Sequence, residues 1–478
     1  MITFLVCLAI LIGGYFIYGS YVYKQAGLDE NQATPATIME DGIDYIPMPL
    51  HKVLLIQFLN IAGTGPIFGA ILGACFGPIA FLWITFGTIF AGAVHDFMSG
   101  VISMKHNGIS VSEIVGIYLG ETMKNIMRVF SVILLILVGT VFVISPAGLL
   151  SNLTGLDKTL LVGIIIVYYI LATVLPVDKI IGKIYPVFGI CLILMAVFLC
   201  GGMFINHFKG TDPMIEINSQ TFATNLHPDG LNVFPFLFVT IACGALSGFH
   251  ATQSPMMARC VKNNKETKAV FFGAMVVEGI VALIWCAVTI SFLGSPEGVA
   301  QALNSYNGAA GVVNFLSKEL LGTFGAILAV LGVVACPITS GDTAFRSARL
   351  TIADAFKINQ KSISKRFLIA IPLFIVCIFL TTVNFDIIWR YFAWSNQTLA
   401  TIFLWTVGVY LYKNNKNYFI AILPATLMSY VCISYIMQAK EGLKLPPNIS
   451  NIVGIIFAIC LFAFFMIRKS SIKKEDKA

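Results

Sequence analysis

The sequence predicts an all-α polytopic membrane protein of about 13 transmembrane helices, ten of them arranged as two inverted repeats of five. Three observations predict it: long apolar stretches, a one-sided distribution of basic residues, and two interrupted helices in matching positions. Hydrophobic residues make up 58% of the 478 and charged residues only 11%, with a mean hydropathy of +0.88. A soluble domain carries about 25% charged residues. The apolar residues cluster into stretches of about 20, the length that crosses roughly 30 Å of hydrocarbon. A soluble core would instead be built from amphipathic helices with a polar face.

In chain order, spans are expected at 2–22, 52–76, 78–104, 127–150, 160–177, 184–206, 233–258, 268–294, 322–345, 367–383, 386–412, 418–437 and 451–467. The first is too long, and too poor in basic residues ahead of its apolar core, for a cleaved signal peptide. It is expected to remain a helix, with Tyr18, Tyr21 and Tyr23 in the interfacial belt. Alternating the spans back from a cytoplasmic C-terminus places the N-terminus outside. Only six of the 30 Lys and Arg residues then fall on the outer side: Lys158, Lys209, Lys318, Arg390, Lys440 and Lys444. The positive-inside rule predicts such a bias, and one missed helix would scramble it. The expected location is the plasma (inner) membrane of a bacterium. The net charge of +7 therefore reports topology, and no nucleic-acid partner is expected. Nearly all of the eleven cysteines lie within predicted spans with no CxxC pair or Cys/His cluster, so they read as packing residues.

The second span reads Asn60-Ile-Ala-Gly63-Thr64-Gly65-Pro66-Ile-Phe-Gly69 through its middle, where glycine and proline weaken the hydrogen-bond ladder. The seventh reads Gly244-Ala-Leu-Ser247-Gly248-Phe249-His250-Ala-Thr252-Gln253-Ser254-Pro255. Unpaired backbone cannot face lipid, so each break faces protein or a wet cavity. A proline kink in a continuous helix is the plainer reading of either one alone. Together they lie five spans apart, and each begins a five-span unit, 52–206 and 233–412. Five is odd, so the second unit inserts upside down, which is the mark of inverted repeats with a binding site where the broken helices meet. Residues 1–22 and 418–467 are then peripheral helices, and 468–478 a basic cytoplasmic tail. This arrangement resembles the amino acid–polyamine–cation (LeuT-like) transporters.

Ionisable groups inside spans are costly and mark functional candidates. His95 and Asp96 adjoin in the third span. Such a pair can exchange protons near neutral pH, hold a cation, or simply pin neighbouring helices. A metal-dependent hydrolase needs further His and Asp ligands, and of the six histidines only His95 and His250 fall inside predicted spans. His250 can bind a carboxylate when protonated, release a proton during coupling, or bond freed carbonyls. The half-helices after both breaks offer N–H groups and a positive dipole end that suit an anionic group. In the ninth span, Thr339, Ser340 and Asp342 can supply oxygen ligands to a hard cation. Alternatively Asp342 pairs with Arg346 one turn on. Glu278 in the eighth span is a candidate proton site without a specific neighbourhood. Asn396 and Gln397, in an amide-rich run of the eleventh, can line the pathway or satisfy the broken helices. Residues 105–125 read as a short cytoplasmic interfacial helix.

Taken together, these motifs resemble the carbon starvation protein A (CstA) family. The resemblance rests on Gly63-Thr-Gly-Pro66 with Gly69, Ala91-Gly-Ala-Val-His95-Asp96, Ser247-Gly-Phe-His250, Asp342-Thr-Ala-Phe-Arg346 and Ser395-Asn-Gln397-Thr-Leu-Ala400. It is to a short form, without the C-terminal membrane region of the longer members. It implies a plasma-membrane transporter made when preferred carbon runs short, associated with peptide uptake and in some long members with pyruvate, driven by protons.

The expected function is therefore secondary-active uptake of a peptide, or of pyruvate or another small monocarboxylate or amino acid. Substrate contacts are expected from Gly63, Thr64, Gly65, Ser247, Gly248, Phe249, His250, Gln253, Ser254, Asn396 and Gln397. The coupling ion, a proton or sodium, is expected at His95, Asp96, Thr339, Ser340 and Asp342. Neither a catalytic residue nor a resident metal or cofactor is expected. A membrane sensor that keeps a transporter fold is the remaining alternative, without an output module to support it. Oligomeric state is not legible.

Overall fold

A computed structural model describes residues 1–42, 44–173, 177–211, 214–360 and 362–475. Thirteen helical units follow one another, and we number them in chain order. They are α1 (Ile2–Ala26), α2 (Leu50–Ile61, then Gly65–Phe76), α3 (Ile79–Lys105), α4 (Glu121–Thr154), α5 (Lys158–Ala172) and α6 (Val177–Lys209). α7 is broken, with a first half at 233–240 and a second at Gly248–Ala258. α8 (Asn264–Leu293) follows, then α9, which runs from Ala309–Leu328 through Ala329–Val334 into Ala335–Ala355. The last four are α10 (Ile363–Leu380), α11 (Phe385–Lys413), α12 (Phe419–Gln438) and α13 (Pro447–Glu475).

Among the described residues, nine helices are long and apolar enough to cross a membrane, or ten with the bent pair of α2. The elements that fall short do so for local reasons. α7 is split, α11 carries the amide run, and α5 is described over only 15 residues before 174–176, which lie outside the described residues, as does the end of the tail at 476–478. Several boundaries differ from the sequence reading: α4 begins at Glu121, and α13 runs from Pro447 to Glu475, into the segment expected as a tail. α6 already begins at Val177, so positions 179 and 183 are helical rather than in a loop. α9 reaches Ala355, and two helices meet at Gly322, which takes φ +60°, so the start expected at 322 falls at that junction, with a further helical segment ahead of it from Ala309. The interfacial helix is present as Val111–Leu119.

Burial separates core from periphery. In α3 and α8, 78% of the most apolar window is buried inside the protein, against 22% in α1 and α13. α4 packs along α9, and the second half of α7 lies among α3, α11 and the first half of α2. α8 packs on the second half of α2. The two interrupted helices thus meet at the centre, enclosed by α3, α4, α8, α9 and α11.

Candidate functional site at the two breaks

The break in α2 is short. Residues 62–64 leave the helix, the axis bends by 48°, and the second half restarts at Gly65 with Pro66 in its first turn. Proline suits that position because its missing N–H would have no intrahelical partner there. The bend frees the carbonyl of Leu59, which accepts from Ser340 Oγ at 2.9 Å and lies 3.6 Å from Cys336 Sγ. Ser340 also donates to Cys336 O at 3.1 Å, and Thr339 to the same carbonyl at 2.7 Å.

The break in α7 is longer, residues 241–247, and side chains from other helices hold its backbone in place. Trp83 Nε1 donates to Ile241 O at 3.2 Å, and Thr88 Oγ1 to Gly244 O at 2.8 Å. Glu278 Oε1 accepts the Gly244 N–H at 3.0 Å. Asn396 Oδ1 accepts the Phe249 N–H at 2.7 Å and the Ser247 hydroxyl at 3.2 Å. Gln397 Nε2 donates to Phe238 O at 2.9 Å, just before the break. Irregular backbone at membrane depth survives only with such partners. The two breaks touch: a Cβ on Gly65 would lie 2.5 Å from Cys243 Sγ, and Gly244, at φ +87°, sits against Pro66.

His250 falls in the first turn of α7's second half rather than in the break, and Gln253, Ser254 and Pro255 follow it in the same helix. At that helix start Asn396 takes the Phe249 N–H. His250 instead joins a line of ionisable groups from three helices. Asp96 accepts from His95 Nδ1 at 2.8 Å on one oxygen and from His250 Nδ1 at 2.8 Å on the other. On its far side, His250 Nε2 faces Glu278 Oε2 at 3.4 Å. All four are fully buried. Two ionised carboxylates here without a compensating proton would leave uncompensated buried charge, so the set must retain protons. The Nε2 proton can rest on His250 or pass to Glu278. The four form a line rather than a shell, and among the described residues no three His, Cys, Asp or Glu side chains are placed to hold one metal ion.

The remaining expected residues fall into place around this line. Gly63 presses on Phe142, where an added Cβ would come within 2.4 Å of the ring, and Thr64 is buried with its hydroxyl unpartnered among the described residues. Gly248 abuts the Asn396 carbonyl, and Phe249 meets Phe142 edge to face at 6.0 Å. Ser254 donates to His250 O at 3.1 Å, and Gln253 to Thr252 Oγ1 at 2.9 Å. Asp342 stands apart: it pairs with Arg346 at 3.6 Å and lines a small cavity with Thr173, Phe345 and Arg349. Sequence reasoning leaves Glu278 without partners and passes over the Trp83 and Thr88 clamps. A carboxylate in an apolar span is the available signal for Glu278.

Comparison with known proteins fixes the lineage. A family model described as carbon starvation protein CstA matches residues 1–154 and 143–311. The chain belongs to the CstA family. An uncharacterized membrane protein of Haemophilus influenzae is 43% identical over 64% of this chain and 95% of its own length. The peptide transporter CstA of Campylobacter jejuni is 30% identical over 63% of this chain and 51% of its own. The pyruvate/proton symporter BtsT of Escherichia coli is 27% identical over 58% and 47%. The chain thus spans about half the length of these two relatives. Among solved structures, a mutant of the manganese transporter of Eremococcus coleocola superposes with TM-score 0.57 at 14% identity, over 91% of this chain and 99% of that one. MhsT in complex with L-phenylalanine gives TM-score 0.57 at 12% identity, over 86% and 97%. At such identities the likeness establishes the fold alone: this CstA-family chain is a multi-pass membrane protein of LeuT-like architecture. The relatives and the structural neighbour whose names state a role are transporters.

Proposed function

We propose that this CstA-family protein is a proton-coupled importer of small peptides, with pyruvate or another small monocarboxylate or amino acid as the second substrate class. One observation carries the reading: the buried line His95–Asp96–His250–Glu278 ends on the backbone N–H of Gly244, inside the break of α7. A change of protonation on Glu278 changes the strength of its hydrogen bond to the irregular backbone, because a charged acceptor binds an N–H more strongly than a neutral one. That is the link between ion binding and conformational change that a coupled transporter requires. The peptide transporter and pyruvate/proton symporter among the relatives support the same reading. The reading of 52–206 and 233–412 as inverted units about the two breaks, which rests on their sequence spacing, agrees with it. The asymmetry of basic residues favours a bacterial plasma membrane with the N-terminus outside and the C-terminus in the cytoplasm.

Sodium coupling is the second reading. The Thr339 and Ser340 hydroxyls gather with the carbonyls of Cys336 and Leu59, an all-oxygen group of the kind a hard cation takes. Reconstitution in liposomes separates the two. Labelled dipeptide and labelled pyruvate are offered under a proton gradient alone and a sodium gradient alone. Accumulation under the proton gradient only is expected. Accumulation under sodium only would move coupling to the oxygen group, and no accumulation of either substrate by correctly oriented protein would overturn the transport reading.

A further inference from the structure

Beside the titratable line lies a second group of buried polar side chains that the coupling reading leaves unused. Gln57 and Asn60 stand one turn apart on the first half of α2 and share a face. Gln57 Nε2 reaches across to Ser254 Oγ at 3.5 Å, next in sequence to Gln253 on the second half of α7. All three amides are fully buried. Gln57 Oε1, Gln253 Oε1, both Asn60 amide atoms and the Thr64 hydroxyl have no hydrogen-bond partner among the described residues. Native interiors leave only a few such atoms per hundred residues, and each calls for an explanation. These fall on two packed half-helices, beside the break in α2. Ser131 and Ser145 on α4, and Asn314 Oδ1 and Ser317 on α9, are also unpartnered among the described residues, but neither pair includes more than one side-chain amide.

We propose that Gln57, Asn60 and Gln253 are the substrate-recognition residues, and that they select a ligand carrying N–H donors together with oxygen acceptors. The inference rests on the transport reading above and names its substrate class. The chemistry follows from the inventory of atoms. Whichever way the Asn60 amide turns, it presents one acceptor and one donor pair, and Gln57 and Gln253 each present a free acceptor. An α-ammonium or peptide N–H satisfies the acceptors, while a carbonyl or carboxylate satisfies the donors. Pyruvate has oxygen acceptors only and would leave the amide oxygens unpaired, and sites built to bond an N–H or O–H strongly reject analogues that lack it. A peptide or free amino acid fits, and a simple monocarboxylate does not.

The test is equilibrium binding to the purified full chain in detergent, without any gradient, so that it is independent of coupling. Labelled alanyl-alanine is displaced by unlabelled alanyl-alanine, N-acetyl-alanyl-alanine or pyruvate. On the wild type, alanyl-alanine and N-acetyl-alanyl-alanine, which both carry N–H donors, should compete at least about tenfold better than pyruvate, and Asn60→Leu should weaken alanyl-alanine binding by a similar factor. Equal competition by pyruvate, or unchanged binding in a folded Asn60→Leu protein, would overturn the assignment while leaving transport standing. If Asn60→Leu does not fold, the ligand series on the wild type decides alone. A folded wild type that binds none of the three would overturn this inference, while the transport reading is decided separately by accumulation in liposomes.

Discussion

The two interrupted helices solve the same physical problem in different ways. In α7, residues 241–247 are tied down by Trp83, Thr88, Glu278 and Asn396, drawn from three other helices. In α2, only residues 62–64 leave the helix, and the freed carbonyl of Leu59 is met by side chains of one neighbour, α9. The backbone of the α7 break is held from several sides, whereas unpartnered side-chain atoms among the described residues gather beside the α2 break, at Gln57, Asn60 and Thr64, with Gln253 facing them from the second half of α7. A clamped break transmits: one of its clamps, Glu278, is also the end of the titratable line. A break with spare donors and acceptors receives. On the two proposals above, ion-driven movement belongs to the α7 break, and recognition to the first half of α2 together with Gln253.

Replacing Asp96 should break this comparison most severely. Asp96 lies between the two histidines and accepts from both. Asp96→Asn removes the charge that holds them, and gradient-driven accumulation in liposomes is expected to fall at least about 100-fold, the scale on which proton-transfer groups act. Full accumulation in that variant would remove Asp96 from the coupling. Glu278→Gln is gentler, because the new amide oxygen can still accept the Gly244 N–H while losing the ability to take a proton from His250. Accumulation should fall about tenfold or more while exchange of substrate across the membrane without a gradient persists. Equal loss of exchange and accumulation would make Glu278 a structural clamp only.

How much of this is legible in the sequence varies with the range of the interaction. The two breaks are readable because Gly63, Gly65, Pro66 and Gly244 act on their own backbone. His95, Asp96 and His250 are readable because ionisable groups are rare at membrane depth. Their assembly into one line is not, since it depends on α3, α7 and α8 meeting, and nothing local to Glu278 marks Gly244 as its partner. The amide run at Asn396 suggests a role in satisfying broken helices, and Asn396 does bond the α7 break. Spacing alone groups Asp342 with Thr339 and Ser340. On a helix, neighbours one or two positions apart point in different directions, which separates Ser340 from Asp342, and Asp342 turns to Arg346 one turn on. The second break looks wider in the sequence than it is because Pro255 reads as a breaker, yet it lies inside the helix Gly248–Ala258.

The smaller effects concern stability and sharpen the contrast between clamped and open backbone. Asn396→Ala strands the buried Phe249 N–H and takes a partner from Ser247, at an expected cost of about 1–3 kcal/mol read from the unfolding midpoint in detergent. Ser340→Ala should cost less, about 1 kcal/mol, because it removes a single hydroxyl from Leu59 O while the Cys336 thiol stays 3.6 Å away. The ratio of the two is the informative quantity. A clamped α7 and a loosely held α2 require Asn396→Ala to be the more damaging by a clear margin. Should Ser340→Ala prove equally costly, the α2 break depends on α9 as strongly as the α7 break depends on α11. The spare capacity at Asn60 and Thr64 would then belong to a rigid segment, and the division between a moving helix and a recognising one would not hold.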